Sequence, residues 1–216
     1  VGKVSGGIDI FLVLTGYFAM VSLQQQIERQ RTFSIHQIIL RSITSLWPPA
    51  LAVAMMTVVL MYVFYPMSQW STVLQHMLAS VLYVENWHLI KEATNYLAFD
   101  GSASPFQHYW SIAIQFQYTL IMPFIVGIVL YVSHLGRWPF RKVLTVILTV
   151  AMAISFAYAT YLVGVKPEEA YFHFGARIWE LLVGAIAAML VPVIRLTKEA
   201  SSVFSWIGIW LVIATG

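Results

Sequence analysis

Long apolar runs separated by short charged stretches dominate the chain. They occupy 8–23, 43–65, 112–132, 143–165, 174–194 and 203–216. Four of the six reach about 20 residues, the length of helix that crosses roughly 30 Å of hydrocarbon. The first is shorter and carries Asp9 near its start, and the sixth stops where the sequence stops. A seventh stretch, 72–90, is apolar but interrupted by Gln75, His76, Glu85, Asn86 and His88. The pattern predicts an all-α fold: a polytopic transmembrane helix bundle of about six spans plus one re-entrant or interfacial segment at 72–90.

Basic loops stay on the cytoplasmic side, so Lys and Arg placement predicts orientation. Eight of the 12 basic residues fall in three loops: Arg29, Arg31 and Arg41; Arg137, Arg141 and Lys142; Arg195 and Lys198. With those loops inside, Asp9, Glu85, Glu92, Asp100, Glu168 and Glu169 lie on or near the outer face. The parity closes if 72–90 does not cross fully, or if a second short crossing lies between 91 and 111. Residue 1 is then outside, just before a span, with no start methionine, basic n-region or cleavage site. The expectation is one membrane domain over 1–216, truncated at both ends.

Composition agrees. Of the 216 residues, 60% are apolar and 10% charged, too few charges to clothe a soluble globule of this size. The absence of cysteine excludes a disulfide-stapled module and a thiolate metal site. The net charge of +3 matters only through its distribution.

Charges inside a membrane are either paired or functional. Arg177 and Glu180 stand three apart in a helical run and can neutralise one another, as a structural ion pair or as part of a site. Gly184 and Ala188 continue the Glu180 face as a small-xxx-small stripe, which lets another helix approach closely. Gln115 and Gln117, two apart, face different ways, and for either one interhelical hydrogen bonding is the simpler role. Pro123 predicts a kink, and Pro48 with Pro49 predicts a helix start. Gly6 and Gly7 read as a turn before a helix. His108, Tyr109, Trp110 and Ser111 stand at a span entrance, where Trp and Tyr commonly anchor. The histidines show no His-x-x-x-His or His-Glu-x-x-His spacing, so no metal site is expected. Phosphate-loop, nucleophile-elbow and nucleic-acid-binding patterns are absent from the sequence.

Four motifs, taken in order, resemble the acyltransferase-3 family of bacterial integral-membrane O-acyltransferases. The first is Gly6-Gly7-Ile8-Asp9 through Thr15-Gly16-Tyr17. The second is the basic segment with Arg41 seven residues before Pro48. The third is Ser104-Pro105-Phe106-Gln107-His108-Tyr109-Trp110-Ser111-Ile112, followed by Gln115, Gln117 and Pro123. The fourth is Arg177-Ile178-Trp179-Glu180-Leu181-Leu182-Val183-Gly184. There are departures. Gln115 stands where many members carry Glu, so a carboxylate role is lost there. Ser42 and Ser45 replace arginines, and the family's first helix, with its Arg and His, falls before residue 1.

The resemblance implies transfer of an acyl group, most often acetyl, from cytoplasmic acyl-CoA to a hydroxyl of a carbohydrate or glycolipid acceptor at the outer face of the bacterial inner membrane. No bound cofactor is implied; acyl-CoA is a substrate, and a further C-terminal domain is compatible with the family. Such chemistry needs a base, oxyanion donors and cations for the CoA phosphates. On this reading Asp9, His108, Ser111, Gln115 and Glu180 are the catalytic candidates, with the missing His as base. Arg41 is the CoA contact, with Arg29 and Arg31 as helpers, and Trp110 with Arg177 binds substrate. A transporter or flippase module, with Arg177, Glu180 and the broken segment lining a path, is the alternative, although no internal repeat supports it.

Overall fold

The computed structural model describes residues 6–29, 34–64, 66–94, 104–191, 206 and 208. Among these are eight α-helices: α1 (Gly6–Arg29), α2 (Ile35–Phe64), α3 (Trp70–Val81), α4 (Glu85–Thr94), α5 (Tyr109–Gly136), α6 (Phe140–Val165), α7 (Pro167–Phe172) and α8 (Phe174–Leu190). A short 3-10 turn at Met67–Gln69 precedes α3, and the described residues contain no strand. Segments of α1, α2, α5 and α6 are long and apolar enough to cross a bilayer. The fold is an all-α membrane helix bundle. The exposed stripes Met55, Val59, Val63 on α2 and Val146, Val150, Ile154 on α6 recur every four residues and suit a lipid solvent. The span expected at 174–194 is represented by the 17 residues of α8, and that expected at 203–216 falls almost wholly outside the described residues.

Several expectations change. The first span is longer than its apolar run, because α1 continues through Gln24, Gln25, Gln26 and Glu28. Gly6 and Gly7 are the first residues of that helix, not a turn before it. Pro48 and Pro49 do not start a helix: α2 begins at Ile35 and passes through them, which is tolerated in membrane helices where side chains help to satisfy the backbone. One turn earlier the Ser42 hydroxyl donates to the Ile38 carbonyl at 2.9 Å, and that of Thr44 donates to Leu40 and Arg41 at 2.9 and 3.1 Å, back-bonds of the kind that bend a helix, while the carbonyls that the prolines leave without an N–H partner are those of Thr44 and Ser45. Arg41 accordingly sits on a helix and not in a loop, with its side chain exposed. The 72–90 stretch is two helices, α3 and α4, of 12 and 10 residues. At 1.5 Å per residue they reach only about 18 and 15 Å, too short to cross singly.

The chain divides into two compact units. One comprises 1–33, 129–154 and 179–216. Within it, α1 meets α8 at two glycines. A Cβ added to Gly184 would strike the Val13 carbonyl oxygen, and one on Gly16 would strike that of Leu181. The small-residue face read at Gly184 therefore has α1 as its neighbour. Gln24 Nε2 donates to the Ala188 carbonyl at 3.4 Å beside that contact, and Arg141 pairs with Glu28 at 3.2 Å on the surface.

The other unit comprises 34–128 and 155–178. Its core packs α2 against the α3–α4 hairpin and α5: Ala50, Tyr83, Ala113 and Phe116 form one cluster, Ala54, Met61, Val73 and Phe106 another. The hairpin turns at Tyr83, whose φ of 55° is left-handed. Val84 N–H bonds to the Ala79 carbonyl at 2.8 Å, closing α3 with the six-to-one bond of a Schellman motif. Tyr83 occupies a position that favours glycine because its ring is buried and stacks on Phe116 at 4.1 Å. Gln117 then fastens the turn, donating to the Tyr83 carbonyl and to Asn86 Oδ1, both at 2.9 Å.

Candidate functional site

The turn at Tyr83 folds α4 back along α3, and this brings the polar interruptions of 72–90 together. Glu85, His88 and Glu92 are spaced three and four apart, so they share one face of α4. His76 comes from α3. Its Nδ1 donates to Glu85 Oε1 at 2.6 Å, and its Nε2 lies 3.1 Å from Glu92 Oε1. His88 Nε2 approaches the same Glu92 oxygen at 3.5 Å, and the two imidazoles meet edge to face at 4.7 Å. Glu85 is 0% and His76 3% exposed. Burial works to lower the His76 imidazole, but the bond and charge of Glu85, then Glu92, outweigh it and hold it above its ordinary 6.5. Burial, and secondarily the charge of His76, hold His88 below that value.

A second cluster forms where α7, α8 and the start of α5 meet within the same unit. Arg177 Nε donates to the Tyr171 carbonyl at 3.1 Å. Its guanidinium carbon lies 4.8 Å from the Tyr171 ring centre and 5.7 Å from that of Trp110. Trp110 is 2% exposed and packs on Tyr171 and Phe172 at 4.9 and 5.7 Å. This is a cation held in a defined place by one carbonyl and two aromatic faces, an arrangement suited to arginine's planar charge. The two clusters share α4. Asn86 donates to the Phe172 carbonyl at 3.4 Å, and Trp87 packs edge to face on His173 at 5.1 Å.

The structure thus brings Trp110 and Arg177 together. Trp110 is buried and not an interfacial anchor. Ser111 follows it, 8% exposed, with its hydroxyl donating to the His108 carbonyl at 3.2 Å at the start of α5. His108 itself is exposed. Gln115 lies half-buried in the next turn. Asp9, in the first turn of α1, and Glu180, 1% exposed on α8, belong to the other unit. Arg31, Asp100, Arg195 and Lys198 lie outside the described residues, as does the side chain of Arg29. The His76, Glu85, His88 and Glu92 cluster contains neither His-x-x-x-His nor His-Glu-x-x-His, so those spacings do not reveal it. The legible signal was the three-then-four spacing of polar residues on α4.

Comparison with known proteins completes the picture. The sequence model of the family described as an acyltransferase domain matches residues 4–216. YrhL of Bacillus subtilis (strain 168) is 28% identical over 193 residues, 89% of this chain and 30% of that protein. The peptidoglycan O-acetyltransferase OatA of Listeria monocytogenes is 29% identical over 194 residues, 88% of this chain and 30% of that protein. The O-acetyltransferase OatA of Staphylococcus aureus (strain NCTC 8325 / PS 47) is 24% identical over 199 residues, 90% of this chain and 31% of its own. The chain therefore spans about a third of the length of these relatives. No solved structure matches it.

Proposed function

Because the chain belongs to the acyltransferase-3 family, we propose that it is the membrane part of an O-acyltransferase that moves an acetyl group from cytoplasmic acyl-CoA to a hydroxyl of a cell-surface carbohydrate. All three relatives carry O-acetyltransferase names, two of them for peptidoglycan, which makes a cell-wall glycan the first acceptor to test. The observation that carries the reading is the meeting of two family motifs in one place: Arg177, from the Arg-x-x-Glu helix, lies over Trp110, from the His-Tyr-Trp-Ser segment.

Attack of a hydroxyl on a thioester builds negative charge on the carbonyl oxygen, and a fixed, desolvated cation stabilises that charge more in the transition state than before it. Arg177 supplies a half-buried cation, held in place by the Tyr171 carbonyl and two aromatic rings. Ser111, by bonding to His108 within its own turn, shapes the start of α5 around Trp110. Exposed Arg41 is suited to the CoA phosphates, since a guanidinium binds phosphate oxygens in pairs. Asp9, Gln115 and Glu180 are assigned to positioning, and the base is the histidine that the family carries upstream.

The test is transfer of radiolabelled acetyl from acetyl-CoA to glycan acceptors by the full-length protein in membranes. Labelled glycan is expected with the native protein. Arg177→Lys, which keeps charge but loses the planar fork, is expected to lower transfer about 10- to 100-fold, the equivalent of one charged hydrogen bond at roughly 1.5–3 kcal/mol. Arg41→Gln is expected to raise the apparent KM for acetyl-CoA with little change in kcat. Absence of transfer to any acceptor by the native protein would sink the proposal.

A further inference from the structure

We propose that the α3–α4 hairpin carries a binding site for one divalent transition-metal ion, of the zinc class, held by His76 Nε2, His88 Nε2 and Glu92 Oε1. These three atoms lie within 4.8 Å of one another. Zinc takes nitrogen and carboxylate ligands at about 2.0–2.2 Å, and tetrahedral placement at that radius separates neighbouring ligand atoms by roughly 3.3–3.5 Å. The observed separations from Glu92 Oε1 are 3.1 Å to His76 and 3.5 Å to His88. The donor set, two imidazoles and one carboxylate, is one that borderline transition metals favour and that calcium and magnesium do not.

Two further observations point to a metal and not only to an ion pair. First, Glu85 grips His76 Nδ1 at 2.6 Å and is itself fully buried. A carboxylate on the far nitrogen fixes the ring with its Nε2 lone pair directed at the site, the arrangement that orients metal-binding histidines. Second, His88 Nε2 is buried and has no hydrogen-bond partner among the described residues, though it is aimed at the same Glu92 oxygen as His76. A proton shared between His76 and the two glutamates would satisfy His76 and leave His88 unused. A metal ion satisfies both rings, displacing the proton that otherwise bridges His76 to Glu92. Glu92, with a side chain 28% exposed, gives the site an opening, so three protein ligands leave room for water or another small ligand.

All four residues belong to one unit and to a pair of helices too short to span the membrane, so the ion would tie α3 to α4. The test uses the full-length protein in detergent, stripped with chelator and then titrated with Zn2+ alone. One equivalent of Zn2+ per chain retained through gel filtration, a higher unfolding temperature on adding Zn2+, and the visible absorption of a tetrahedral Co2+ complex on substitution are expected. His88→Ala and Glu92→Gln should each abolish the Zn2+ stabilisation. Glu85→Gln should weaken affinity about 10- to 100-fold without removing the site. The half-exposed Glu92 variant guards against simple misfolding, because it should unfold normally without metal. Failure of the native protein to retain Zn2+, or equal retention by native protein, His88→Ala and Glu92→Gln, would overturn the site. Neither result bears on acetyl transfer, so this inference and the proposed activity stand or fall separately.

Discussion

His173 holds the start of α8 with a ring nitrogen. Its Nδ1 accepts the Gly175 N–H at 3.1 Å, in the manner of an N-cap side chain, while Trp87 and Tyr158 enclose the ring. Burial holds this imidazole below its ordinary 6.5, against the smaller opposing pull of Glu169. The neutral form is thus the folded form. Its contribution to stability is complete above the ordinary value and is lost as pH falls through the lowered one. Unfolding temperature followed from about pH 8 to about pH 5 should drop more for the native protein than for His173→Asn, which keeps an acceptor but cannot titrate there. Equal drops would remove His173 from the account. Tyr83 presents a different balance. Replacement by glycine relieves left-handed strain of about 1–2 kcal/mol, yet removes a buried stacked ring whose loss typically costs about 3–5 kcal/mol. Tyr83→Gly should therefore lower thermal stability by a net of roughly 2–3 kcal/mol.

Among the elements, the contact between α1 and α8 rests on the absence of side chains. Because the obstacles at Gly16 and Gly184 are backbone atoms, no rotamer change makes room. Gly184→Leu should separate the two helices and cost at least the roughly 1–3 kcal/mol of an overpacked core. Gly7→Ala, where an added Cβ meets open space, should be neutral or slightly stabilising, since alanine favours helix. Comparing detergent unfolding of the two variants checks this, and equal behaviour would argue against close backbone contact. The hairpin of α3 and α4 makes the opposite use of side chains. Its polar residues face one another across the turn, which lets a strongly polar stretch fold within an apolar chain.

For the whole molecule, orientation remains a matter of charge. The three basic segments predict Arg137 on the cytoplasmic side and Glu168 on the outer side, separated by the 26 residues of α6. These 216 residues contain no cysteine, so single substitutions report cleanly once any cysteine elsewhere in the full-length protein is replaced. In intact cells a membrane-impermeant thiol reagent should label Glu168→Cys and not Arg137→Cys, with the latter labelled only after permeabilisation. The reverse pattern would invert the topology and separate Arg41 from cytoplasmic acyl-CoA.

By itself the sequence determined the class of fold, the cores of most spans and the motifs that mark the family. These depend on quantities local to a segment: the length of an apolar run, the scarcity of charge, and residue types at fixed spacing. It singled out Arg177, Trp110 and the small face at Gly184, but not their neighbours. Which helix meets Gly184, how Arg177 lies over Trp110, and why Pro48 and Pro49 fall within α2 follow from contacts between residues far apart in the chain, which no local period encodes. The histidine cluster marks the boundary most clearly. The spacing of Glu85, His88 and Glu92 on one helical face could be read directly, whereas their junction with His76 required the reversal at Tyr83. That reversal is stabilised by Phe116 and Gln117 from a helix more than thirty residues away. Tertiary structure decided it because the left-handed turn is unfavourable alone and forms only when a buried ring and two hydrogen bonds offset its strain.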